Sequence, residues 1–329
     1  MDPITHTLTG LALGRAGLNR LSVHAMPVLL LAANAADIDL VTAPGGAVSY
    51  LHYHRHVTHA FLALPLLALL PVLLVRLFAR KPFDWKWCYV VSLAGVASHP
   101  LLDWMNVYGI RLLLPFSSHW YRLDIASLPD VWMLGVLLAA ALAPLFARLV
   151  GSEIGARSGT GRGWALMALC FLVLYPFGRY LLHERAVAVL DARVYGGMQP
   201  LQVAALPGPA NPFRWRGLVE TEAFYAILDV NLLGDFDPAA GRLLYKPEPT
   251  PLEAAAMAAA RRTEAFRVFL DFSQCPYWSF TPLDHPENGI RVEASDLRFG
   301  DPSRRAFVAH AVVDQTGRVL DSGFSYRKD

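Results

Sequence analysis

Long apolar runs whose histidines and aspartates with metal-ligand potential gather at one end constrain this chain more than any other feature. Ala60–Val75, Tyr89–Met105, Val131–Ala147 and Trp164–Leu182 each approach the about 20 apolar residues that a bilayer-crossing helix needs. Two shorter helical stretches precede them, Ile4–Leu18 and Leu21–Ala36 with its Pro27, and these either span or pack half-buried at the interface. His6 opens the first stretch, and Asp37 and Asp39 follow the second. His54 and His59 precede the run at Ala60, His99 and Asp103 close the next, and Asp124 precedes the one at Val131. Imidazoles and carboxylates are costly near a bilayer unless they share a cation or line a wet cavity. Their convergence reads as a metal site at a membrane surface.

The basic residues take the opposite ends. Arg15, Arg20, Arg76, Arg80, Lys81, Lys86, Arg148, Arg157 and Arg162 lie between runs on one side, against Arg55, Arg111 and Arg122 on the other. The positive-inside rule makes the first set cytoplasmic and places the ligands, with everything after residue 182, outside. Trp85 and Trp87 then mark one interface, and Trp104, Trp120 and Trp132 the other.

Composition supports a part-membrane protein: 54% of the residues are hydrophobic, and the 17% that are charged fall below the roughly 25% usual for soluble domains. A net charge of +2 without a dense Lys/Arg cluster gives no reason to expect a nucleic-acid partner. Cys88, Cys170 and Cys275 form no CxxC, which argues against a disulfide framework or a thiolate zinc site. Met-Asp-Pro-Ile-Thr-His lacks the basic start of a signal peptide and is expected to be retained.

Beyond residue 182, Pro and Gly punctuate a more charged sequence. Strands are expected at Trp215–Thr221, Ala223–Leu232, Arg291–Arg298 and Ala306–Val313, an Ala-rich amphipathic helix near Pro251–Leu270, and a hairpin at Asp314–Gly317. The expected fold is therefore mainly α, a multi-pass transmembrane helical bundle over 1–182, followed by a small soluble α+β domain over 183–329.

Among the motifs, His99-Pro-Leu-Leu-Asp103 is the most specific, because residues four apart share a helix face. The plain alternative is a satisfied His–Asp pair. In His54-Arg-His-Val-Thr-His59, Thr58 is expected to cap the following helix and leave His59 in its first turn, with His52 and His56 solvated. Asp37 and Asp39, one residue apart, point to the same side of an extended segment and repel unless a cation lies between them. His6 alone is more often structural, and only its place on the ligand side raises it. Asp130 reads as an N-cap and His119 as a candidate ligand of a second ion. A nitrogen and oxygen donor set suits Zn²⁺, in one or two ions, with Mn²⁺ or Fe²⁺ possible. Arg55 is placed to stabilise a phosphoryl or acyl oxyanion, and Asp124 to act as ligand or general base.

In order, these motifs resemble those of the YdjM-type family of membrane-bound metal-dependent hydrolases, some of them LexA-regulated; the resemblance covers roughly residues 1–180. It implies a metal-dependent hydrolase of the bacterial inner membrane. The same order is similar, more distantly, to the helical zinc phospholipase C and P1 nuclease superfamily, which implies phosphoester hydrolysis. By that similarity one of Asp37/Asp39, one of His54/His59, His99 and Asp103 hold the principal ion, and Asp103 bridges to a second one held partly by His6. The second His-x-x-x-Glu/Asp pair of those enzymes is missing here, as is their N-terminal Trp. The leading expectation is a hydrolase acting on a phosphoester or related ester, on a lipid if the site lies at headgroup depth. A transporter and a non-catalytic membrane scaffold are the rivals.

Overall fold

The computed structural model describes residues 1–154, 161–285, 289–300 and 306–327. Helix α1 (Pro3–Ala16) starts where Asp2 accepts the Thr5 amide and Pro3 supplies a preset φ. Helix α2 (Ala25–Ala32) ends in a 42° bend into a 3₁₀ segment, Ala35–Gly45. A short helix α3 (Ala47–Tyr53), a 3₁₀ turn (Val57–His59) and helices α4 (Leu64–Leu67) and α5 (Leu69–Phe78) follow. Then come three long helices, α6 (Trp85–Trp104), α7 (Val131–Ile154) and α8 (Arg162–Asp191).

Two glycines set how closely α1 and α6 approach α2. A Cβ on Gly10 would meet Ala33 Cβ and Leu29 O at 2.9 Å, and one on Gly95 would meet Ala32 Cβ at 2.7 Å. Each glycine lies four residues from a histidine on its own helix, Gly10 from His6 and Gly95 from His99, and so shares its face. Close backbone contact through the glycines therefore presses the two histidines together at the end of α2.

Among the described residues, three helical stretches are long and apolar enough to cross a membrane: Phe61–Phe78, Val131–Leu149 and Arg162–Asp191; the bent pair Ala25–Gly45 makes up to four. The expected run at Tyr89–Met105 forms α6 but is not one of them. Lys86, Ser92, Ser98, His99 and Asp103 lower its hydropathy, and its buried face packs at the centre, against α2 above all. Trp120 is likewise buried, against Phe272, rather than marking an interface.

With 30 residues, α8 is about 45 Å long, more than a hydrocarbon core requires. Its far end, through Ala186 and Leu190, carries an antiparallel meander of β1 (Gln202–Pro207), β2 (Arg214–Glu220), β3 (Phe224–Asn231) and β4 (Arg242–Tyr245). The second meander is β5 (Pro276–Leu283), β6 (Gly289–Asp296), β7 (Ala306–Val313) and β8 (Val319–Arg327), and Gly317, at φ +80°, closes its last hairpin as expected. The single expected helix near 251–270 is two, α9 (Pro251–Ala260) and α10 (Glu264–Phe272), because Thr263 caps a new start. Phe266, Phe269 and Phe272 of α10 share one apolar core with this sheet, with Leu51 of α3 and with Tyr108 and Trp120. The C-terminal sheet unit thus rests on the segments that frame the histidines.

Candidate metal centre

His6 is fully buried and stacked on His99, ring centroids 3.6 Å apart and 7° from parallel. His99 and Asp103 share a face of α6 as the spacing predicts, with Nε2 and Oδ2 3.5 Å apart. His59 Nε2 lies 3.4 Å from the same Oδ2, and His99 Nε2 3.3 Å from Asp37 Oδ1. The structure thus gathers His6, His99 and Asp103 in one triplet and Asp37, His59 and His99 in another, each with ligand atoms within 4.8 Å of one another.

The 3₁₀ segment corrects the expectation for Asp37 and Asp39. At three residues per turn, positions two apart diverge instead of sharing a side as they would in an extended strand. Asp37 faces His59 and His99, while Asp39 faces the next loop. There Asp39 accepts the Arg55 amide at 2.9 Å and the Thr58 hydroxyl at 3.2 Å, and His54 Nδ1 lies 3.1 Å away. A third triplet, Asp37, Asp39 and His54, also falls within ligand range. Thr58 caps no helix: the backbone reverses at Arg55, φ +58°, and puts His59 in a 3₁₀ turn.

Hydrogen bonds on the far side of the His99 and His59 rings fix which nitrogen faces inward. His99 Nδ1 donates to Ala33 O at 2.7 Å, leaving the Nε2 lone pair free. Thr58, having given its proton to Asp39, sits 3.0 Å from His59 Nδ1 and accepts from it, so His59 Nε2 is free as well. Burial holds the His54 and His59 imidazoles below the ordinary histidine range and keeps them neutral.

What the inward atoms lack is a partner. His6 Nε2, His59 Nε2, His99 Nε2 and Asp103 Oδ2 are all buried without a hydrogen bond. A buried unsatisfied polar group costs about 1–3 kcal/mol, and four around one point are an expensive way to build a helix end. The set fits a divalent ion that prefers nitrogen and oxygen donors.

Arg55 is buried against this cluster, its guanidinium 3.2 Å from Asp103 Oδ1, 3.0 Å from Asn106 Oδ1 and 4.8 Å from the centre of the Tyr108 ring. The Met1 amine also contacts Asp103 Oδ1. Asp124 stands apart: it pairs with Arg122, and burial raises its carboxyl above the usual range. His119 is exposed beside Tyr121, away from the cluster, and Asp130 caps α7 by accepting the Trp132 and Met133 amides. Sequence reading missed Asn106, whose Oδ1 also accepts the Tyr108 amide at 2.9 Å, and Tyr50, stacked on His54. The position of Asn106 three residues after Asp103 was the available signal for it.

An apolar helical body with nitrogen and oxygen donors closing on one point defines a membrane protein with a candidate metal centre. The chain belongs to the YdjM inner membrane protein family, whose sequence profile matches residues 1–186. Residues 255–328 match the YfhP C-terminal alpha/beta plait domain. The protein YfhP of Bacillus subtilis (strain 168), described as uncharacterized, is 27% identical over 348 residues, covering 100% of this chain and 97% of that protein. No solved structure matches the chain.

Proposed function

We propose that this protein is a multi-pass inner-membrane, metal-dependent hydrolase of a phosphoester or related ester. The observation that carries the reading is that unpartnered atoms of His6, His59, His99 and Asp103 fall in two ligand-range triplets that share His99, His6–His99–Asp103 and Asp37–His59–His99. Those residues are the ligand set for one or two ions, Zn²⁺ first by donor chemistry. A divalent ion held there supplies a Lewis acid that polarises a substrate oxygen and acidifies water.

The chain supplies the rest. Ala33 O and Thr58 orient the two imidazoles, and Arg55, itself steadied by Asn106 Oδ1, holds Asp103 in place. With a side chain 16% exposed, Asp37 is the member of its triplet that reaches the surface, and it is positioned to take a proton from attacking water. Residues 1–182 form the membrane domain in this reading, and 183–329 an extracytoplasmic domain that covers the site through Tyr108 and Trp120.

The test is hydrolysis of bis(p-nitrophenyl) phosphate by the purified full chain, before and after chelation and after return of Zn²⁺ or Mn²⁺. Chelator-sensitive, metal-restored turnover is expected, and turnover indifferent to chelator ends the reading. The 42° break before Asp37 is also a way transporters bring ligands into a membrane. Metal uptake into proteoliposomes without hydrolysis would favour that second reading.

A further inference from the structure

A cavity of about 410 Å³ lies between the start of α1, the bent α2 segment and α5. Its walls include Leu30, Leu31, Leu40, Leu70 and Leu74, and its polar residues are Asn34 and Asp37. A second cavity, of about 720 Å³, shares Leu31 and Leu74 with it and runs on to Arg80 and Lys81, so the two form one furrow along α2 and α5. Both walls belong to stretches apolar enough to lie in a bilayer. In a bilayer, a furrow so lined faces the acyl chains.

The end of the furrow gives it meaning. His59, His99 and Asp103 have almost no surface, and Asp37, beside them, lines the cavity. Within the Asp37–His59–His99 triplet, Asp37 is therefore the residue that meets this furrow. Leu31, Leu40 and Leu74 are left exposed along it.

We propose that this groove seats an acyl chain of a membrane phospholipid and delivers its phosphoester to Asp37 and the inward nitrogens of His59 and His99 from within the bilayer. The seating rests on the groove alone, while cleavage of the delivered bond rests on the hydrolase reading. A chain in the groove fixes the headgroup at the cluster by proximity, so remote apolar contact lowers the entropic part of the barrier.

The experiment uses the full chain in phosphatidylcholine nanodiscs doped with phosphatidylglycerol carrying a diazirine at the end of one acyl chain. After photolysis, labelled residues are mapped by mass spectrometry, with the exposed Val173 and Leu174 on α8 as the control face. Selective labelling of 30–40 and 70–74 is expected, with an about tenfold loss relative to α8 in Leu74→Trp. Leu40→Trp, on the opposite wall, gives the same loss should the first variant fail to fold. Labelling equal to that of α8, or unchanged in both variants, overturns the proposal. The ratio of phosphatidylglycerol to bis(p-nitrophenyl) phosphate turnover is also expected to fall about tenfold in the variants. Selective, Trp-sensitive labelling in a protein that cleaves neither probe leaves the groove standing and ends the hydrolase reading. Cleavage of the soluble ester with unselective labelling does the reverse.

Discussion

Among the described residues, the buried ionic cluster at the helix ends contrasts with the one beneath the C-terminal sheet. In the second, Arg298 meets both Asp296 carboxylate oxygens, at 2.6 to 3.1 Å, and gives two further N–H groups to Val107 O and Phe272 O. Asp296 raises the Arg298 pKa further, against the effect of burial. In the first, ring nitrogens and a carboxylate oxygen face one another without a hydrogen bond between them. The contrast separates a joint from a receptor. A buried polar group that holds a fold together is saturated by its own chain, and one that awaits a ligand is oriented from behind and left open in front.

The strongest way to break that contrast is to remove an open donor. His99→Ala or Asp103→Ala is expected to reduce bound metal to under about a tenth of wild type, read by elemental analysis, with the helical circular dichroism retained. Next comes the saturated cluster. Arg298→Leu leaves Asp296 buried and alone and is expected to cost about 3–5 kcal/mol in denaturant unfolding, whereas Asp296→Leu with Arg298→Leu recovers most of it. Metal per folded protein stays unchanged in both, and a loss there would merge the two clusters into one system.

Smaller effects sharpen the orientation argument. Thr58→Val removes the group that orients His59 and is expected to weaken metal binding about 10–100-fold in competition titrations. Gly95→Ala forces α6 away from Ala32 and should lower stability by about 1–3 kcal/mol while loosening the His6–His99 stack. The smallest effect is the pH dependence of chelated protein. Burial lowers the folded-state pKa of His54 below the unfolded value of about 6.5, so the unfolded chain binds more protons. Stability is full above about pH 6.5 and is lost as the pH falls from there through the folded pKa. Thermal melts from pH 7.5 to 5 should show the decline, and His54→Gln should make it shallower while the buried His59 keeps the rest.

The C-terminal sheets show what was legible in the sequence and why. The strands given explicit bounds, β2, β3, β6 and β7, are all central, and the overlooked ones, β1, β4 and β5, are all edges; the edge strand β8 was implied only by the hairpin at Asp314–Gly317. Central strands bury more of their residues and read as apolar runs, while β4 has four residues and β5 carries Pro276 and Pro282. In the helical part, the His99–Asp103 pair was legible because its spacing matches the helix repeat. Asp37 and Asp39 were legible as acids but not as a diverging pair, since nothing local announces a 3₁₀ segment. The remoteness of Asp124 was hidden too, because it depends on Arg122 turning the carboxylate to itself.

X-ray absorption at the zinc edge of the reconstituted full chain tests the central claim most directly. The account predicts a shell of nitrogen and oxygen neighbours at about 2.0–2.1 Å, with imidazole scattering beyond it that diminishes in His99→Ala. A sulfur shell near about 2.3 Å, or a spectrum that the His99→Ala substitution leaves unaltered, would contradict it.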